Sequence, residues 1–210
     1  MKFLIFVEGQ TEKHVLGQFF KRWLEERLDQ PVKIDVVPFK GWAELKKDAP
    51  KKAMLHLNTP KNRNQLTIII SLMDFYGPEI YPHSKFTVEE KSNWLKSEIE
   101  RAVNQRGRFF QYFAIHETEA WLLSDPNIFP SGIAKAIRRN VKSPESLISP
   151  EHPSAYLDTL YKSHLHREYA KKTDGDYLFA KLDPEVAASK CPYLKAMLDD
   201  MLTMAQQDGQ

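Results

Sequence analysis

The chain has 210 residues, 24.4 kDa, a formal net charge of +2 and one cysteine, Cys191. Its 42% hydrophobic and 28% charged content is that of a folded soluble protein with one sizeable core, so bulk charge argues neither for nor against nucleic acid. A lone cysteine excludes an internal disulfide framework and a multi-cysteine zinc site. No apolar run nears the ~20 residues of a membrane helix and no secretory leader is expected after Met1, so the expected location is cytoplasmic, away from membranes.

Residues 3–7, Phe-Leu-Ile-Phe-Val, predict a first strand that ends in Glu8-Gly9. A buried strand does not easily keep a charge in its body, so Glu8 is expected at the carboxyl end, facing the crevice where open α/β sheets place ligands. Thr11 is expected to cap the helix that follows. That helix carries Val15, Leu16, Phe19, Phe20, Trp23, Leu24 and Leu28 on one face, over about five turns. Residues 32–37 predict a second strand, stopped by Pro38. Residues 40–63 are basic and contain Gly41, Pro50 and Pro60, which predicts a short helix plus loop.

Residues 66–73 are almost continuously apolar, as a central parallel strand would be. They end in Asp74, and Gly77-Pro78 marks the stop. A second amphipathic helix is expected on Val88, Leu95, Ile99 and Val103, ended by Gly107. Residues 108–115 predict a fourth strand, running directly into His116-Glu117-Thr118-Glu119 and a short helix. After Pro126 no strand is expected, only short helices divided by prolines, one burying Leu157, Leu160, Tyr161 and Leu165. The last is expected over residues 193–204, with a frayed tail from Gln206. The expected fold is α/β: a small, mostly parallel sheet of about four strands flanked by helices in residues 1–125, and a helical extension, 126–210, packed on it.

Three predicted parallel strands thus end in acids: Glu8, Asp74 and the Glu117/Glu119 pair. Two carboxylates about 4 Å apart repel by roughly 4 kcal/mol at an effective dielectric of 20. Gathering three requires protons, a basic side chain or a cation, and hard oxygen donors select Mg²⁺, Mn²⁺ or Ca²⁺ over zinc. Blander roles are open to each residue. Asp74 can begin a turn, Glu119 can favour a helix N-terminus, and His116 can be a satisfied core histidine. Residues two apart do not share a helix face, so either the helix begins after Glu117 or only one of the pair reaches the site.

The segments Val7-Glu8-Gly9-Gln10-Thr11-Glu12, Asp74-Phe75-Tyr76-Gly77 and His116-Glu117-Thr118-Glu119-Ala120-Trp121-Leu122-Leu123, with the later residues 169–175 and 190–193, resemble the domain of unknown function 4276 family, a Toprim-like group. The resemblance covers nearly the whole chain. It implies a Toprim-like fold that binds Mg²⁺ (or Mn²⁺) and acts as a nuclease on DNA or RNA, similar to the nuclease domains of overcoming-lysogenization-defect proteins. It also implies a setting in bacterial anti-phage defence, beside a partner ATPase.

Carried over residue by residue, it makes Glu8 and Asp74 metal ligands. Glu117 or Glu119 replaces the acid that Tyr76 lacks, Lys171 assists catalysis, and His116 is a candidate for positioning water. With Tyr76 where a second acid belongs, a catalytically weak interaction module docking on the ATPase is the alternative. Three basic groups are candidates for phosphate contact: Lys40 to Lys61 with Arg63, then Lys135, Arg138, Arg139 and Lys142, then Lys162, Arg167, Lys171 and Lys172. Trp42, in the first, could stack a base or pack its loop.

Overall fold

The computed structural model describes residues 1–63, 65–76, 80–82, 84–85, 87–146 and 152–208. Four parallel strands form one sheet in the order β2-β1-β3-β4: β1 (Lys2–Val7), β2 (Lys33–Pro38), β3 (Thr67–Asp74) and β4 (Phe109–Ala114). The α/β class expected from the sequence is the one formed. Helices α1 (Gln10–Glu25), α2 (Trp42–Asn58), the short α3 (Pro60–Arg63) and α4 (Val88–Val103) connect the strands. After β4 come α5 (Glu119–Leu122), α6 (Ser131–Asn140), α7 (Pro153–Leu165), α8 (Thr173–Lys181), α9 (Pro184–Lys190) and α10 (Pro192–Asp208).

Side-chain alternation divides the core into two layers. Phe3, Ile5 and Val7 of β1, with Ile68, Ile70 and Leu72 of β3, meet α1 and the helices after β4. Leu4 and Phe6, with Ile69 and Met73, meet α2 and α4 on the other face. Both central strands are buried on both faces, which is why they read as continuous apolar runs. The first layer draws on both halves of the chain: Phe19 of α1 stacks on Trp121 at 5.9 Å and meets Phe179 of α8 edge-on at 6.0 Å. Leu157, Leu160 and Tyr161 are buried on α7, and Leu165 packs against the same layer.

Several local expectations are corrected. Helix α1 begins at Gln10 with Gly9 as its N-cap, not Thr11, because the chain turns immediately after Glu8. It ends at Glu25, and Leu28 packs on the core from the turn beyond. Residues 42–58 form one helix through Pro50 rather than a short helix plus loop. A proline inside a helix costs about 3 kcal/mol through a lost hydrogen bond and a clash. Burial of Leu45, Ala49, Ala53 and Leu57, one residue per turn against the sheet, offsets it.

Asn104, in the left-handed region at φ 51°, ends α4 ahead of Gly107. Its start carries a reciprocal cap between Thr87 and Glu90. Helix α10 continues to Asp208, past the expected fraying point, and residues 209–210 lie outside the described residues. So do Gly77 and Pro78, the expected stop after β3.

Candidate functional site

From β1 the chain moves outward to β2 through α1 on one face, then returns across β1 to β3, after which α4 covers the opposite face. Strand order therefore reverses between β1 and β3. The helices that follow these two strands go to opposite faces there, which makes the carboxyl ends of β1 and β3 the position where ligands bind in open α/β sheets. Glu8 immediately follows β1 and Asp74 ends β3, so both acids stand at this reversal on the same edge.

A run of hydrogen bonds links the acids across the edge. A Glu8 carboxylate oxygen accepts the Asp74 backbone N–H at 2.9 Å. Asp74 in turn accepts the Thr118 backbone N–H at 3.2 Å. The Thr118 hydroxyl donates to Glu119 at 3.4 Å, and the other Glu119 oxygen lies 3.1 Å from the Lys171 ammonium. Lys171 lies in the segment between α7 and α8, so the C-terminal half supplies the only cation within this run.

Proton affinities record the crowding. Burial pushes the Glu8 carboxyl up to about 7, opposed by the Asp74 N–H and Lys171 and reinforced by the charge of Glu12. Asp74 is raised well above the usual carboxylate range, first by burial and then by Glu8 and Glu119. Glu119 is also raised by burial, against the pull of Lys171. Burial disfavours the Lys171 charge, but Glu119, Asp74 and Glu117 outweigh it and raise its affinity for its proton. Two helix N-termini, α1 after Gly9 and α2 at Trp42, face the same edge and favour anions. Desolvation of so many carboxylates still dominates.

Glu12 is the site residue that the sequence reading passes over. It sits in the first turn of α1, is 8% exposed, and leaves its Oε2 buried without a hydrogen-bond partner. A side chain at Gly9 would meet that oxygen at 2.6 Å, so glycine makes room for it. The available signal was spacing: an acid four residues after Glu8, one helical turn beyond the glycine.

Other candidates divide. Glu117 turns toward α7, accepting the Ser154 backbone N–H at 2.9 Å, while its charge still reaches Glu119 and Lys171. His116 adopts φ 67° and its carbonyl accepts the Tyr76 N–H at 3.1 Å. Burial, with nearby His152, lowers the affinity of its ring for a proton, opposed by Glu117. Tyr76 is 53% exposed, and its ring stands against that of His152, centroids 3.3 Å apart. In the third basic group, Arg167 is bound by Asp174 and Lys162 by Asp158 and Glu168.

The donor set suits a hard divalent cation: carboxylates alone, one with an orphaned buried oxygen, around a single ammonium. As the side chains stand, no three His, Cys, Asp or Glu groups among the described residues meet at metal-coordinating spacing. Side-chain rotation would have to close the set. No helix among the described residues is long and apolar enough to cross a membrane.

Fold and site together define an open parallel α/β protein with an acid-rich crevice at its topological reversal. The chain belongs to the domain of unknown function 4276 (DUF4276) family, which matches residues 7–202. Among solved structures it is similar to the C-terminal region of the Xanthomonas campestris pv. campestris OLD protein. That pair is 16% identical, with 99% of this chain and 98% of the other covered, at a TM-score of 0.45. For the C-terminal region of the Burkholderia pseudomallei OLD protein the values are 13%, 95%, 98% and 0.46. None of the curated proteins matches the chain in sequence.

Proposed function

We propose that the chain is a Toprim-like nuclease dependent on Mg²⁺ or Mn²⁺, hydrolysing phosphodiesters of DNA or RNA. One observation carries this reading. Glu8 and Asp74 stand side by side at the reversal point, joined at 2.9 Å through the Asp74 N–H, where burial, with the charge of Glu12 on Glu8 and of Glu8 and Glu119 on Asp74, raises their affinity for a proton or a cation. Glu8, Asp74, Glu12 and Glu119 are the residues that would hold the ion. When bound, a divalent cation supplies a more acidic water and neutralises charge on a phosphoryl oxygen.

The chain's own residues supply the rest. Glu8 and Asp74 are kept in place by the backbone N–H groups of Asp74 and Thr118. Lys171, paired with Glu119 at rest, is the cation within this run of acids and can face a phosphate that gathers negative charge. His116, at the rim and biased toward its neutral form, can accept a proton from water. Service as the effector of an anti-phage system is proposed on the family resemblance alone.

A second reading, a catalytically weak module docked on a partner ATPase, is favoured by Tyr76, which is exposed where the resemblance expects an acid. Incubation with supercoiled plasmid and with tRNA, in Mg²⁺ or Mn²⁺ and against Glu8→Gln, separates the two. Cleavage by the wild type that Glu8→Gln loses supports the nuclease. No cleavage with either ion in the presence of the ATPase refutes it.

A further inference from the structure

Beside the acidic crevice, a groove of about 620 Å³ runs between α1 and the edge strand β2. Lys13, His14, Gly17, Gln18 and Lys21 line it from α1, and Ile34 and Val36 from β2, whose Lys33 and Asp35 alternate to the opposite face of the sheet. The α1 residues recur one turn apart, on the face opposite the buried Val15, Leu16, Phe19 and Phe20. Gly17 shapes the floor: a Cβ there would stand 3.2 Å from Val36, so the helix lies close to the strand with a bare midline between flanking lysines. The acid of this strand, Asp35, is bound to Lys2 at 2.7 Å on the far face, so no carboxylate of β2 faces the groove. Lys13 is exposed and makes no ion pair among the described residues, and Lys21 shares only a solvent-exposed pair with Glu25 at 3.4 Å.

Direction links the groove to the site. Helix α1 runs back along the sheet from the carboxyl edge, so Lys13 follows Glu12 directly and Lys21 lies eight residues further from the acids. That is about 12 Å of helix, roughly three nucleotides of a stacked strand. We propose that this groove carries the sugar-phosphate backbone of one nucleic-acid strand away from the acidic crevice, with Lys13 and Lys21 on its phosphates and Gln18 between them. The inference rests on the phosphodiester reading of the crevice and names the track its substrate follows. Contacts of this kind read charge, so binding is independent of base sequence.

The test is anisotropy of a labelled single strand of about 12 nucleotides, and of its duplex, on the full chain in Ca²⁺. Lys13→Ala/Lys21→Ala should weaken single-strand binding about tenfold and flatten its salt dependence by roughly 1.4 log units per decade, two phosphate contacts' worth. Lys91→Ala/Lys96→Ala, on α4 across the sheet and outside the three basic groups, should change little. Equal effects from both pairs, no effect from the groove pair, a duplex bound more tightly than the strand, or no strand binding by the wild type would each overturn the proposal. The melting response to Mg²⁺ reads the crevice separately: it should survive in the groove variant and shrink in Glu8→Gln. Strand binding through Lys13 and Lys21 without any Mg²⁺ response would uphold the groove and refute the nuclease reading.

Discussion

The Lys171 ammonium lies 3.1 Å from the carboxylate of Glu119, which is itself 3% exposed. These residues come from opposite halves of the chain, and their contact fastens the helical C-terminal part to the carboxyl edge of the sheet. Breaking a fully buried pair costs about 3–5 kcal/mol, and less here because Lys171 is 39% exposed. Lys171→Met should therefore destabilise by about 1–2 kcal/mol. Adding Glu119→Gln should recover most of that loss, since no buried charge is then left alone, but should not recover cleavage. Denaturant midpoints and a plasmid assay read the two effects; recovery of activity in the double variant would remove Lys171 from catalysis.

Glu8→Gln and Asp74→Asn should each abolish cleavage while the fold persists. Both remove a buried charge from a repulsive group, so metal-free melting temperatures should hold or rise. Mg²⁺ should stabilise the wild type by mass action and the variants less, which calorimetry measures directly. A Glu8→Gln protein that still cuts would disprove its role.

Stability of the metal-free chain should fall as pH rises from 5 to 8. Glu8 takes up its proton near 4.5 when unfolded and near 7 when folded. Between those values the folded state binds more protons, so raising the pH removes stability. The loss attributable to Glu8 is on the order of 2 kcal/mol after allowance for its partial exposure. Urea midpoints at pH 5.5 and 8 should converge in Glu8→Gln. An equal pH slope in wild type and variant would show that Glu8 is not the group responsible.

Glu12→Gln should stabilise the metal-free protein by about 1 kcal/mol, because an amide replaces a buried carboxylate with an unpartnered oxygen. The same change should weaken Mg²⁺-dependent stabilisation. An unchanged Mg²⁺ response would place Glu12 outside the cation site.

A chain ending at Asp125 should not reach a native fold. Its α1 face would lose Leu157, Leu178, Phe179, Leu194 and Leu198, all buried against that layer. Near-ultraviolet dichroism and dye binding would show an expanded state with exposed apolar surface. In the full chain, Leu157→Ala should cost about 2–4 kcal/mol. A truncated chain that melts cooperatively at the full-length temperature would show two independent units.

The sequence by itself determined the parallel α/β class and the positions of Glu8 and Asp74. Both acids close continuous apolar runs, and a charge at the end of a doubly buried strand has nowhere to go except the edge. Tertiary structure decided the rest. Glu117 and Glu119 are two residues apart, and only the start of α5 at Glu119 and the approach of α7 separate them, one to Lys171 and the other to Ser154. Glu12 reads locally as an ordinary helix residue, and its burial arises because Gly9 leaves room for it. Pro50 reads as a break, yet the sheet beneath α2 buries enough apolar surface to carry the helix through it. Strand ends follow from local hydrophobicity, whereas partners across the edge depend on which distant segments the packing brings there.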